Sequence, residues 1–159
     1  MLGYGKDAIT YSVGGVDRRG WMFQQLLKLS GYKFVQMENY LIVDSDTVLS
    51  RKHTFLFEGR TLFFTSEEWH EPYFRTFKKL FGYSAPTNLS YTAHMMLFNT
   101  RKLRELKDEL EKRHNMSWDK IYYMTADPHE ASCISDYDTY ANWVMYRYPD
   151  TMSPSPFYN

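Results

Sequence analysis

The sequence holds a single cysteine, Cys133, in 159 residues. One thiol builds neither a disulfide framework nor a cysteine zinc cluster, and it suits a reducing compartment. A cytoplasmic location is therefore expected. No apolar run reaches membrane-spanning length, and no signal-peptide pattern precedes the first expected helix. Charge of one sign is also lacking: 19 Lys and Arg stand against 19 Asp and Glu. That balance argues against broad electrostatic binding to nucleic acid or anionic lipid. Neither an internal repeat nor a clear linker is visible, so one domain is expected, large enough to bury a core.

Aromatic residues are abundant, with 14 Tyr, 11 Phe and 4 Trp. Most must fill a core, but Tyr and Trp also offer flat faces with polar tips, which suit sugars or bases. The first 17 residues are Gly-rich and unpatterned and read as an irregular segment. A helix is expected from Arg18 to Ser30, stopped by Gly31. The apolar run Tyr40-Leu41-Ile42-Val43 then reads as a buried strand. Two short strands, Thr54 to Phe57 and Thr61 to Thr65, flank the turn Glu58-Gly59-Arg60. A helix over Pro72 to Phe81, a long strand over Ser90 to Phe98 and a helix capped by Asn99 follow. Ser117 is placed to cap a short helix. Ser135-x-x-Asp138 resembles a capping box opening a last helix to about Tyr146. The tail over 150–159, with Pro154 and Pro156, reads as irregular.

The triplet Asp44-Ser45-Asp46 closes the first strand. Carboxylates just past a strand of an open α/β sheet sit where such sheets place ligands. Hard oxygen donors suit Mg²⁺ or Mn²⁺, and these ions hold diphosphates. Asp44 and Asp46 are therefore the candidate metal ligands. Arg18, Trp21, Gln25 and Lys28 share one face of the first helix, opposite its leucines. That face is either solvated or borders the Asp44 cleft. In the second case Arg18 or Arg19, together with Lys28, meets phosphate, and Gln24 or Gln25 meets a sugar hydroxyl.

The run from Arg18 to Leu29, followed by Tyr40-Leu41-Ile42-Val43-Asp44-Ser45-Asp46-Thr47, resembles a group of glycosyltransferases of the type-A (GT-A) fold. They act in bacterial or viral polysaccharide synthesis. The likeness continues at Ser90 to Phe98, where the group tends to have paired histidines. This chain has His94 and then Met95. It continues again over Ser135 to Asn142, where relatives usually carry Glu at one or both acidic places. The matches span about Arg18 to Pro149.

The resemblance implies an α/β fold: a mixed sheet flanked by helices, with a catalytic core over 18–149. It implies transfer of a sugar from a nucleotide-diphospho sugar to a glycan or other hydroxyl acceptor. Asp44 and Asp46 would hold Mn²⁺ or Mg²⁺. Arg18, Arg19, Trp21, Gln25, Lys28, Asp44 and Ser45 would bind the donor, and His94 the acceptor. Asp136 or Asp138 would be the catalytic base that takes the acceptor proton. At the start of a helix both carboxylates also suit the helix dipole, a purely structural reading. A strand–helix unit that normally precedes the Asp-x-Asp strand is not recognisable. An open sheet edge, and a missing segment or partner chain to cover it, are thus expected.

Two other readings compete. Val43 to Leu49 fits the nucleophile motif of haloacid-dehalogenase-type phosphatases, with Asp44 taking phosphate and Thr65 in a second motif. The stretch from Asp44 to Thr65 is too short for the intervening crossover units. A shortened transferase that binds a glycan or a partner without turnover is the third reading.

Overall fold

The computed structural model describes residues 2–157. A turn of 3-10 helix over Lys6–Ala8 leads to a small hairpin of β1 (Ser12–Val13) and β2 (Val16–Asp17). Gly14 and Gly15 turn it with positive φ angles of 56° and 80°, which glycine adopts at little cost. Leu2, Ile9 and Tyr11 are buried in the main core. Residues 2–17 are therefore not the irregular start that their lack of periodicity suggested, since single apolar anchors leave no period to read; residue 1 lies outside the described residues.

Helix α1 spans Arg19–Leu29. Met22, Leu26 and Leu29 lie on its inner face and are fully buried. Burying each leucine contributes about 2 kcal/mol. Gly31 follows because the Tyr40 ring lies where its Cβ would be. The Tyr40 hydroxyl donates to the Lys28 carbonyl at 2.9 Å. This contact ties the end of α1 to the next strand.

That strand, β3 (Asn39–Val43), pairs antiparallel with β6 (Met95–Asn99) from Asn39↔Asn99 to Val43↔Met95. Among the described residues no strand pairs with its other edge. Leu41 and Val43 are exposed, and only Tyr40 is buried. The apolar run is thus an edge strand rather than a buried one. The long strand expected over Ser90 to Phe98 is also shorter, beginning at Met95.

Strand β4 (Leu56–Phe57) and β5 (Arg60–Thr65) form the expected hairpin. Glu58 and Gly59 both take positive φ at its turn. Strand β7 (Met152–Pro156) runs parallel to β5 in register Thr61↔Met152. The tail is therefore ordered as far as it is described, contrary to the irregular reading. Pro154 and Pro156 alternate along an edge strand, so their missing N–H groups fall on one side, away from the ladder. Residues 158–159 of that tail lie outside the described residues.

The helices are α2 (Glu71–Phe81), α3 (Thr100–His114), α4 (Trp118–Met124) and α5 (Asp136–Arg147). Asn99 caps α3 by accepting from Lys102 N–H at 3.1 Å. The Ser135 hydroxyl caps α5 by accepting from Asp138 N–H at 3.1 Å. Ser117 makes no side-chain cap on α4; Glu111 accepts from Trp118 N–H instead. Every residue of α5 from Asp136 to Val144 is buried. The chain is thus a mixed α/β fold, with small sheets around a helical core whose central helix begins at two aspartates.

Candidate functional site

The turn after β3 places Asp44 by backbone geometry. Its N–H donates to the His94 carbonyl at 2.8 Å, one rung beyond the β3–β6 ladder. Thr47 N–H then donates to the Asp44 carbonyl at 3.0 Å and closes the turn. His94 is not on a strand face. It takes a left-handed φ of 57°, an unusual conformation for a side-chain-bearing residue and one that clusters at functional sites. This turn brings its Nδ1 to 3.5 Å from Asp44 Oδ2 and its Nε2 to 3.5 Å from Glu68 Oε1.

Lys28 reaches Asp44 from the last turn of α1. Its Nζ lies 2.5 Å from Asp44 Oδ1 and 3.6 Å from Asp136 Oδ2. The ammonium also stands 4.3 Å above the Tyr137 ring. The Tyr137 hydroxyl donates to Asp44 Oδ1 at 3.0 Å. Burial, reinforced by Asp136 and Asp44, raises the Tyr137 pKa, so this hydroxyl stays a donor. One ammonium thus faces two carboxylates across an aromatic ring.

Asp136 is 2% exposed. Burial pushes its carboxyl up to about 7, against the Lys28 ammonium, which lowers it, while Asp44 raises it further. Its Oδ2 makes no hydrogen bond. Asp138 is also enclosed. Its carboxylate accepts from Tyr91 N–H at 2.9 Å and from the Thr92 hydroxyl at 2.8 Å. Burial raises its pKa. Asp138 thus pins the loop that leads to His94, and the sequence assignment of a proton-accepting role to it is corrected. An acceptor hydroxyl does not reach a carboxylate so enclosed.

Two clefts meet this wall. One, of about 340 Å³, is lined by Gln24, Lys28, Phe34, Asp44 and Ser45 among others. The other, of about 670 Å³, is lined by Asp46, Arg51, His53, His94 and Phe157 among others. Asp44 and Asp46 therefore share one turn but border different clefts, and His94 connects them.

The remaining expected donor residues lie elsewhere. Arg18 Nε donates to the Ala131 carbonyl at 2.8 Å, and its guanidinium covers the Trp21 ring at 4.8 Å. Trp21 packs against the core and tilts on Tyr11. Arg19 pairs with Asp17 at 2.8 Å and Asp7 at 3.5 Å beside the β1–β2 hairpin. Gln25 is buried, and its Oε1 accepts from Asp136 N–H at 2.9 Å. The structure thus separates Arg18, Arg19 and Trp21 from Asp44 and makes Gln25 a cap for α5. Helical spacing put these residues on one face with Lys28 but could not say what packs on that face.

Residues 16–151 match a family of unknown function, DUF6492. The chain belongs to this family. No curated protein and no solved structure matches it. In this DUF6492 chain the sequence reading missed Tyr137 and Glu68 as members of the polar cluster. Tyr137 had a signal, since it stands between the two quoted aspartates. Glu68 had none, because its place depends on the β5–α2 connection.

The divalent ion implied by the resemblance can be tested against these donors. Among the described residues no group of three or more His, Cys, Asp or Glu is gathered to hold a metal. Asp44 Oδ2 has the His94 ring nitrogen 3.5 Å away, and Asp46 is exposed on the same turn. Mg²⁺ usually keeps several waters and binds through one or two carboxylates plus substrate phosphates. The donors fit that mode and not an all-protein cage.

Proposed function

We propose that the protein is a metal-dependent glycosyltransferase that uses a nucleotide-diphospho sugar. The observation that carries this reading is the Lys28–Asp44–Asp136 cluster, held against Tyr137 at the carboxyl end of β3 between two clefts. Its mixed α/β frame supports a GT-A-like architecture. Asp44 and Asp46 would hold Mn²⁺ or Mg²⁺. Bound there, the ion supplies positive charge to the leaving diphosphate.

The chain's own residues do the rest. Lys28 and Ser45 border the smaller cleft and bind the diphosphate. Lys28 stabilises negative charge as it builds on the leaving group. The larger cleft, with His94 on its wall, takes the acceptor. The acceptor oxygen bonds to the anomeric carbon as the bond from that carbon to the diphosphate breaks. The acceptor proton passes to the His94 imidazole, which lines this cleft and has Glu68 Oε1 3.5 Å from its Nε2. Geometry within reach of the proton is the first requirement of a base. Asp136 and Asp138 act by position: one shares Lys28 with Asp44, the other fixes the loop before His94.

The experiment is a panel of nucleotide sugars, assayed for nucleoside diphosphate release with and without Mn²⁺. Metal-dependent release that Asp44→Asn abolishes is expected. Hydrolysis of a simple phosphate monoester, with no nucleotide sugar consumed, would instead favour the phosphatase reading. Saturable glycan binding with no turnover of any donor would favour the binding module.

A further inference from the structure

We infer that Lys28 is an exchangeable counter-ion, seated on Asp44 until a diphosphate draws it away and so frees Asp44 for a divalent cation. The inference rests on the transferase reading above. Lys28 Nζ occupies Asp44 Oδ1 at 2.5 Å, on a wall where both side chains are largely enclosed. A divalent ion on the same carboxylate would face this ammonium at short range, with little water to screen the repulsion. Both cations rest there together only when an anion joins them. A diphosphate is such an anion, with separate oxygens for lysine and metal.

The geometry allows the exchange without moving the backbone. The Lys28 carbonyl is held by the Tyr40 hydroxyl at 2.9 Å, which fixes the end of α1. The lysine stem borders the cleft of about 340 Å³, beside Gln24, Phe34 and Ser45. A flexible four-carbon stem can turn its head into that space. Tyr137 keeps its hydrogen bond to Asp44 Oδ1 at 3.0 Å and holds the carboxylate in place meanwhile. Asp136 Oδ2 stands 3.6 Å from the same ammonium as its second carboxylate partner. Metal and diphosphate then bind each other's complexes far better than either binds alone, and the coupling is reciprocal.

The test measures Mn²⁺ affinity by electron paramagnetic resonance, with and without uridine diphosphate. It uses the wild type, Lys28→Met and Lys28→Gln. Two variants guard against one that fails to fold, checked by circular dichroism. In the wild type, uridine diphosphate should tighten Mn²⁺ binding by about tenfold or more. Without nucleotide, both variants should bind Mn²⁺ about tenfold more tightly than the wild type, and their gain from nucleotide should shrink. Equal Mn²⁺ affinity in all three proteins would overturn the exchange while leaving the transferase reading intact. So would nucleotide binding that needs no Mn²⁺ and is lost in both variants, since Lys28 would then be a permanent phosphate anchor. Failure of every form to bind either Mn²⁺ or uridine diphosphate would overturn the transferase reading itself.

Discussion

Two lysines meet at the last turn of α1, and their surroundings differ. Lys28 projects from that turn toward two carboxylates, Asp44 and Asp136. Lys107 arrives from α3 and donates to the Leu29 carbonyl at 2.6 Å. Its Nζ lies 3.9 Å from the faces of both Tyr32 and Trp118. Burial pushes Lys107 down to about 6, aided by Lys33, against the opposing pull of Asp119 and Glu111. Near neutral pH it is mostly an amine that closes an open helix carbonyl. The same side chain is thus a helix cap among aromatic rings and a paired charge among acids. Burial dominates at Lys107, and the paired carboxylates dominate at Lys28.

The comparison can be broken most strongly at Lys107. Lys107→Ala removes a packed stem and leaves the Leu29 carbonyl unpaired, which should cost about 3 kcal/mol of stability in urea denaturation. Its folded fraction should bind nucleotide as the wild type does. Lys28→Met should cost less, about 2 kcal/mol at pH 8.5 and about half that at pH 5.5. Asp136, already pushed up to about 7, takes a proton at the lower pH and leaves Asp44 as the carboxylate that has lost its ammonium. Equal losses at both pH values would show that Lys28 is a packing residue like Lys107.

An effect at least as large sharpens the contrast through pH. Lys107 titrates at about 6 in the folded chain and at about 10.4 when unfolded. Between these values the unfolded chain holds a proton that the folded chain has released. Its contribution to stability therefore rises with pH through that window and is lost as pH falls toward 6. Denaturation of the wild type against Lys107→Met should show a difference that grows in favour of the wild type from pH 6 to pH 9. The smallest effect is expected from Arg19→Ala. Its partners Asp7 and Asp17 are exposed, and it lies apart from Asp44. Both the melting temperature and nucleotide binding should stay unchanged.

How far the sequence discloses this molecule depends on whether a signal is local. Helix α1, the β4–β5 turn and the caps at Asn99 and Ser135 follow from spacing and from neighbours three or four residues away. Asp44 is legible because a β-branched run and two carboxylates adjoin in the chain. Gln25 is misread because its partner, the N–H of Asp136, is 111 positions away. The β7 strand is hidden by Pro154 and Pro156, which argue against a strand unless it lies at an edge. His94 is recognised as a residue of interest, but its left-handed turn before β6 carries no signature in the chain. Tertiary contacts, not propensity, decide each of these cases.

The most direct measurement is a crystal structure of the chain with Mn²⁺ and uridine diphosphate. The account predicts the metal on Asp44, a diphosphate oxygen within hydrogen-bond reach of Lys28 Nζ, and the lysine displaced from Asp44 Oδ1. A nucleotide seated beside Arg19 and the β1–β2 hairpin, or Lys28 unmoved with no ligand at this wall, would contradict it.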